Sequence, residues 1–130
     1  MSESNLEIVR RTVQAVIDGE WSRALEALDP RVELDEPRPS GVYRGRSGVQ
    51  EAVRRWSEVW VEDRVQPEEL IDAGDQIVVI AHEYARSPRS EMPLDRRIAQ
   101  VWTLSDGLVV AIREYGDRDE ALAAVATREQ

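Results

Sequence analysis

Few side chains of this chain are suited to proton transfer at neutral pH. His82 is the only histidine, and histidine is the residue whose ordinary pKa lies closest to neutrality. If the His82 ring faces a pocket, it could act as a general acid or base on a bound compound. The alternative is a core histidine that is hydrogen-bonded to a neighbouring group.

Glu114 is a candidate partner for this histidine, because it follows an apolar run in a predicted strand. Burial in an apolar cavity would raise the pKa of its carboxyl, which could then take up a proton or orient His82. The alternative is an ordinary ion pair with Arg97 or Arg113.

Two neutral polar side chains, Gln100 and Tyr84, could each donate a hydrogen bond to an oxygen that becomes negatively charged during a reaction. The alternative is a polar lining that orients a ligand without chemistry. The chain also has four tryptophans and no phenylalanine, which predicts core and pocket walls suited to a flat or cyclic apolar ligand. The tryptophans are Trp21, Trp56, Trp60 and Trp102.

The composition excludes several kinds of site. The chain has no cysteine, so it has neither disulfides nor thiolate chemistry, and a single histidine rules out a multi-histidine zinc site. The net charge of -9 repels phosphate backbones and predicts no nucleic-acid binding. No apolar run approaches the roughly 20 residues that span a membrane, and the N-terminus lacks the apolar segment of a secretory signal. We therefore expect a cytoplasmic protein without membrane contact.

Helical periodicity comes first in the chain and strand periodicity later, which predicts one α+β domain over residues 1–130. A capping box at Ser4 opens a first helix that Gly19 ends, and a short second helix ends at Asp29-Pro30. A short strand at 32–36 precedes a long third helix that begins at a second capping box, Ser47 to Gln50. Further strands are predicted at 64–73, 76–85, 97–104 and 108–115, with a terminal helix after Asp117.

The last two strands form a hairpin with Asp106-Gly107 at its tip. A three-residue loop with Gly107 in the left-handed conformation sets a definite register. That register pairs Leu104 with Leu108, Trp102 with Val110, and Gln100 with Ile112.

Several short motifs occur in a characteristic order along the chain. They are Tyr43–Arg46 before the third helix, Gly74-Asp75 before the central strand, Trp102–Leu104 before Asp106-Gly107, and Arg113–Tyr115 after it. With these motifs, nearly the whole chain resembles the SnoaL-like branch of the NTF2-like superfamily. The resemblance implies a cone-shaped, curved, mixed but mostly antiparallel sheet with three helices on its concave face and a short C-terminal helix. It also implies a cavity open at one end. We expect no cofactor and no metal.

The resemblance also implies which sheet face lines the cavity, a question that alternation leaves open because both faces are largely apolar. In the related epoxide hydrolases the catalytic arginine and two acids correspond to His82, Tyr84 and Glu114. In the related ketosteroid isomerases the oxyanion acid corresponds to Gln100 and the base to Glu36, with Asp35 as the neighbouring alternative. The implied cavity face therefore carries His82, Gln100 and Glu114, with Trp56 and Trp60 opposite. The other implied ligand contacts are Trp21, Tyr43, Tyr84, Trp102 and Ile112.

Neither catalytic pattern is intact, since the isomerase tyrosine corresponds to Thr12 and the hydrolase arginine to His82. We expect a cofactor-free enzyme in which His82 acts with Glu114 or Glu36 on a small, mostly apolar, oxygenated compound. It would act as an isomerase, cyclase, dehydratase or hydrolase. The alternative is a non-catalytic ligand-binding or dimerisation domain. A homodimer is expected in either case, because an apolar outer sheet face needs cover. The residues assigned to that face are Val79, Val101, Ala111 and Tyr115.

Overall fold

The computed structural model describes residues 3–36, 41–59, 62–89 and 92–129. Its elements in chain order are α1 Asn5–Ile17, α2 Trp21–Glu26, β1 Leu28–Glu36, β2 Gly41–Arg44, α3 Gly45–Val59, β3 Glu62–Ala73, β4 Gln76–Arg86, β5 Leu94–Ser105, β6 Leu108–Tyr115 and α4 Arg118–Glu129. The predicted α+β fold, with helices first and strands later, is confirmed.

The first helix begins and ends as its sequence predicts. The Glu7 amide donates to the Ser4 hydroxyl over 3.2 Å at the N-terminus, and Gly19 adopts a positive φ of 73° just after the C-terminus. The end of the second helix is different, because α2 stops at Glu26 and β1 already includes Asp29-Pro30. The short strand β2 was not predicted, and it pairs antiparallel with the end of β1.

The six strands form one sheet in the order β2-β1-β6-β5-β4-β3. Strands β1 and β6 are parallel, and every other neighbouring pair is antiparallel. The concave face is identified by its packing, since one core cluster joins helices α1 and α3 to residues of β1, β4, β5 and β6. The cluster includes Ile8, Val9, Leu34, Val49, Ala52, Ile77, Val79, Trp102 and Ile112.

The outer face has its own, smaller core beneath the C-terminal helix. Helix α4 is capped by Asp117, whose carboxylate accepts from the Glu120 amide over 2.9 Å, and Arg118 bonds Glu69 on β3 over 2.9 Å. The residues of this second cluster are Val78, Ile80, Ala99, Val101, Ala121 and Val125. The chain thus covers much of the apolar outer face by itself.

This packing corrects part of the reasoning for a dimer. Val101 lies beneath α4, and Val79 belongs to the concave core instead of the outer face. The homodimer stays a prediction, but exposure of Val79 and Val101 on the outer face is no longer a reason for it. None of the described helices is both long and apolar enough to cross a membrane.

The last hairpin turns at the predicted residues but in another register. Asp106 and Gly107 have positive φ values of 51° and 80°, which is the two-residue turn that Asp-Gly favours in hairpins. The turn pairs Ser105 with Leu108, and a register shift follows at Thr103/Leu104. As a result Trp102 lies opposite Ile112, and Gln100 lies opposite Glu114. Beyond the shift the predicted pairing is therefore wrong by two residues, which keeps Gln100, Trp102, Ile112 and Glu114 on their predicted face.

Candidate functional site

The two faces of β4 are distinguished by what they contact. Ile77 and Val79 pack in the concave core, whereas Val78 and Ile80 pack beneath α4. Because side chains alternate along a strand, Glu83 points to the concave side, and the residues flanking it point outward. The flanking residues are His82 and Tyr84.

The prediction that His82 shares a face with Gln100 and Glu114 is therefore wrong. Gln100 pairs with Val79 of the concave core, whereas His82 pairs with Arg97. Residues directly opposite each other in a sheet share a face, so this pairing places His82 on the face opposite to Gln100. The same reason places Tyr84 on the outer face.

Both outward side chains make contacts at the surface. The His82 ring nitrogen contacts the Asp95 carboxylate, and the side chains are 39% and 59% exposed. The guanidinium of Arg64 lies over the Tyr84 ring, 4.8 Å from its centre. These contacts are typical of a solvated sheet face and not of a ligand cavity.

Three acids, one arginine and one amide lie together on the concave face instead, and we call this group the acid cluster. It consists of Glu36, Glu83, Arg96, Gln100 and Glu114. Strands β4 and β5 place Glu83 directly opposite Arg96, and β5 and β6 place Gln100 directly opposite Glu114. Glu36 ends β1, where the parallel pairing of Asp35 with Arg113 brings the next residue of each strand to the same level.

Glu114 has the most perturbed carboxyl of the cluster. Burial of the half-buried side chain raises its pKa to about 7, with Arg96 opposing the shift and the charges of Glu36 and Glu83 adding to it. A hydrogen bond from Gln100 also favours the ionised form. Loss of hydration disfavours a carboxylate, and so do neighbouring negative charges. Glu114 therefore changes protonation near neutral pH.

The carboxyl of Glu36 is perturbed in the same direction. Burial raises its pKa, the charge of Glu83 adds to the shift, and Arg96 opposes it. The neighbouring Asp35 points away from the cluster and lies 3.7 Å from the Arg113 guanidinium. Of the two alternatives left open by the sequence, Glu36 is thus the one that joins the acid cluster.

The orientation of Gln100 is set by Trp102. The indole Nε1 donates to the Gln100 Oε1 over 3.0 Å. An indole nitrogen is only a donor, so it must meet the amide oxygen, and the amide NH₂ of Gln100 is then turned toward Glu114. The buried Trp102 thereby aims a hydrogen-bond donor at the titrating carboxyl. Its neighbour across the strands, the buried Ile112, lies on the same face.

Two members of the cluster, Glu83 and Arg96, were missed in the sequence. Glu83 is only 7% exposed, and its Oε1 accepts from the Arg96 Nε over 2.8 Å. The available signal was a charged residue inside the apolar run of β4, since a buried carboxylate requires a partner. Once the concave face of β4 is known, Glu83 and an opposing arginine are expected.

The remaining predicted ligand contacts lie elsewhere or outside the described residues. Trp21 borders a surface hollow between α2 and α3, together with Ser47 and Val53. Tyr43 packs against the concave core and accepts a hydrogen bond from Arg55. The backbone of Trp56 lies in α3, but its side chain is outside the described part of the structure, as is all of Trp60.

A metal site and the isomerase tyrosine can both be checked against the described residues. Within residues 3–36, 41–59, 62–89 and 92–129, no three histidine, cysteine or acidic side chains are arranged to hold a metal ion. Thr12, which stands where the isomerase tyrosine was expected, is 1% exposed and donates its hydroxyl to the Ile8 carbonyl over 2.7 Å. It is a helix core residue.

Comparison with known proteins agrees with this architecture. The sequence model of the SnoaL-like domain matches residues 9–112. No curated protein matches the chain significantly. An NTF2-like protein from Burkholderia thailandensis is 22% identical with a TM-score of 0.82, and the alignment covers 96% of this chain and 98% of that one.

Two other solved structures contain small molecules. TerC, co-crystallised with polyporic acid, is 22% identical with a TM-score of 0.77, over 94% of this chain and 98% of TerC. A protein with a ketosteroid isomerase-like fold from Catenulispora acidiphila, in complex with trimethylamine, is 14% identical with a TM-score of 0.73, over 95% of each chain. At these identities the likeness shows the fold alone. The chain, with its NTF2-like fold, belongs to the SnoaL-like domain family.

Proposed function

We propose that this protein is a cofactor-free acid/base enzyme that moves a proton within a small, mostly apolar, oxygenated compound. The observation that carries the proposal is Glu114, a half-buried carboxyl on the concave face whose pKa is raised to about 7. A general base works best when its pKa lies near the working pH, because it is then both substantially ionised and basic.

The reaction is a proton transfer next to a carbonyl group. Ionised Glu114 takes a proton from the carbon beside the carbonyl, the electrons of that C–H bond form a C=C bond, and the carbonyl π electrons move onto oxygen. Glu114 then returns the proton to another atom of the same compound. Every proton and electron pair is accounted for, so the step needs neither an oxidant nor a reductant.

Glu36 is the second acid of the pair. It lies beside Glu114 on the parallel strand, and its negative charge is one of the causes that raise the pKa of Glu114. A base with a higher pKa is a stronger acceptor for the weakly acidic proton of a carbon atom. Glu36 therefore keeps the acceptor basic, while Gln100 holds the carboxylate in place.

The surroundings support a compound that is largely apolar. Trp102 and Ile112 form an apolar floor next to Gln100 and Glu114, and both are about 5% exposed. Buried aromatic and branched side chains favour flat or cyclic ligands. The polyporic acid held by TerC and the trimethylamine held by the Catenulispora protein support a small organic molecule as the occupant.

The test is turnover of a panel of enolisable ketones, lactones and epoxides by wild type and by Glu114→Gln. We expect the variant to lose at least about 100-fold in kcat, the usual contribution of a positioned acid/base group. Glu33→Gln is the matched control, since Glu33 lies on the same strand as Glu36 but is exposed and 3.8 Å from Arg44. Failure of every compound to react above background, or equal rates for Glu114→Gln and wild type, would refute the proposal.

A ligand-binding domain without catalysis is the second candidate, and Thr12 favours it. Thr12 holds the position of the isomerase tyrosine, but its hydroxyl is committed to the Ile8 carbonyl inside α1. The two functions separate in a fluorescence titration, because Trp102 lies beside Gln100 and its emission should respond to a ligand. Saturable binding of a panel compound without turnover, in wild type as in Glu114→Gln, would favour the second candidate.

A further inference from the structure

Arg96 has a position in the acid cluster that the proposed proton transfer does not yet use. One edge of its guanidinium is held in place, because Nε donates to Glu83 over 2.8 Å. Glu83 is almost fully buried, whereas the Arg96 side chain is 43% exposed. The guanidinium is therefore fixed at its inner edge and open to the concave side at its outer edge.

The outer edge carries hydrogen-bond donors that are not used. Within the described part of the chain, the only hydrogen-bond partner of Arg96 is Glu83, through Nε. The terminal amino groups are thus available, and the positive charge acts on both Glu36 and Glu114. A guanidinium held this way presents charged donors in a fixed plane beside the base.

We propose that Arg96 binds the substrate oxygen that becomes negatively charged when Glu114 removes a proton, and that Glu83 positions Arg96 for this contact. The inference rests on the proposed function and identifies the residue that would bind the oxyanion formed in that reaction. It also defines a substrate class, a carbonyl compound that is uncharged before it reacts. The cluster has one guanidinium and three carboxyl groups, so it can compensate the single oxyanion formed in the reaction but not a second negative charge, such as a carboxylate or phosphate elsewhere on the substrate.

The reason for the pairing is electrostatic. Donors that are already oriented toward the place where charge develops stabilise it without reorganising. Glu83 provides this orientation, because its carboxylate is buried in the sheet and accepts from the Arg96 Nε over 2.8 Å. Arg96 would touch the reacting oxygen, whereas Glu83 would act only through Arg96 and is a positioning residue.

The experiment uses para-nitrophenol, whose ionised oxygen resembles an enolate and whose ionisation is visible by its absorbance. Each protein is added to para-nitrophenol, and the absorbance gives the affinity for the phenolate and for the neutral phenol. The proteins are wild type, Arg96→Lys, Arg96→Gln and Glu83→Gln. We expect wild type to prefer the phenolate, and Arg96→Gln to bind phenolate roughly 10- to 100-fold more weakly, the usual effect of one hydrogen bond to a charged group. Arg96→Lys should retain part of the preference. Glu83→Gln should lose part of it, although the arginine is unchanged.

Two controls make the result decisive. The titration is repeated in Glu114→Gln, where the base no longer takes up a proton. The double variant Glu83→Gln/Arg96→Gln removes both halves of the ion pair, so no buried charge is left alone, and it should fold and lack the phenolate preference. Binding of the neutral phenol by wild type, or unchanged phenolate affinity in Arg96→Gln or in the double variant, would overturn the inference.

The two proposals fail separately. The binding of para-nitrophenol does not depend on turnover, so the role of Arg96 is measured even with no known substrate. A loss of turnover in Glu114→Gln together with unchanged phenolate binding in the Arg96 variants would leave the proton transfer standing and overturn only the role of Arg96.

Discussion

Two cross-strand pairs on β4 and β5 lie next to each other but on opposite faces of the sheet. Glu83 and Arg96 form an ion pair on the concave face, with the glutamate side chain 9% exposed. His82 and Asp95 are in contact on the outer face, with side chains 39% and 59% exposed. The residue types suggest the histidine as the group for chemistry, but both members of the outer pair are exposed, whereas the carboxylate of the inner pair is buried.

The comparison shows that burial, more than residue type, decides where the pKa of a carboxyl rises toward neutrality. On the concave face loss of hydration is the largest cause of the raised pKa values of both Glu36 and Glu114. Charges in a poorly hydrated site also act on one another more strongly than charges in water. A glutamate can therefore have a pKa near neutrality, the range in which histidine ordinarily titrates.

The largest expected effect contrasts the two faces in catalysis. Glu114→Gln should reduce kcat at least about 100-fold on any panel compound that reacts, whereas His82→Gln should change it less than about twofold. The physical reason is that the His82 ring lies on the other side of the sheet from the acid cluster. Steady-state kinetics at saturating substrate measures both, and a large loss in His82→Gln would break the comparison.

The next effect contrasts the two pairs in stability. Arg96→Gln leaves the buried carboxylate of Glu83 without its partner and should lower the free energy of unfolding by about 2 kcal/mol, allowing for the exposure of the arginine. Asp95→Asn removes a contact in water and should cost less than about 0.5 kcal/mol. Urea denaturation at neutral pH gives both values. Equal losses would mean that the two faces are equally hydrated.

The pH dependence of stability sharpens the same point through Glu114. Its carboxyl keeps a proton up to pH about 7 when folded but releases it near its ordinary pKa of 4.5 when unfolded. Between these values the folded state binds more protons, so this group loses stabilising effect as pH rises. Relative to Glu114→Gln, wild type should therefore become about 1–2 kcal/mol less stable between pH 4.5 and pH 8, with partial exposure allowed for.

Urea midpoints of the two proteins at both pH values test this sign. The difference between wild type and Glu114→Gln is the quantity to compare, because exposed acids such as Glu51 and Glu69 have lowered pKa values and act in the opposite direction in both proteins. A difference that stays constant with pH, or one that favours wild type at high pH, would show that Glu114 is hydrated.

The smallest expected effect concerns Tyr84 on the outer face. Tyr84→Phe removes a hydroxyl but keeps the ring beneath the Arg64 guanidinium, 4.8 Å from its centre. We expect less than about 0.5 kcal/mol of change in the free energy of unfolding and no change in para-nitrophenol binding. A measurable weakening of that binding would place Tyr84 in the site and contradict the assignment of the faces.

Much of the architecture could be predicted from local signals. The Ser4 cap, the positive φ of Gly19 and the Asp106-Gly107 turn depend on neighbours within a few residues, and each is found where it was expected. The helix boundary at Glu26 depends on the pairing of β1 with β6, which is distant in sequence, and β2 depends on its pairing with β1; both were missed. Local conformational preferences are strong at caps and turns and weak where a strand is formed by its neighbour.

Site residues were correctly placed on the concave face only where that placement did not depend on the pairing of β4 with β5. Glu36, Gln100 and Glu114 were expected on the concave face and lie there, although the hairpin is shifted by two residues. A shift of an even number preserves the face, and a shift of one reverses it. No register was predicted between β4 and β5, and the observed one places Glu83, and not His82, on the face of Gln100.

The amino-acid sequence by itself determined the order of the elements, the turn at Asp106-Gly107, and the fact that His82 and Glu83 must point in opposite directions. Only the tertiary structure decided which of the two points toward helices α1 and α3, because that depends on the register across β4 and β5. Alternation is a property of a single strand, whereas burial is a property of the packed sheet and helices. The chemistry available to this protein depends on the second.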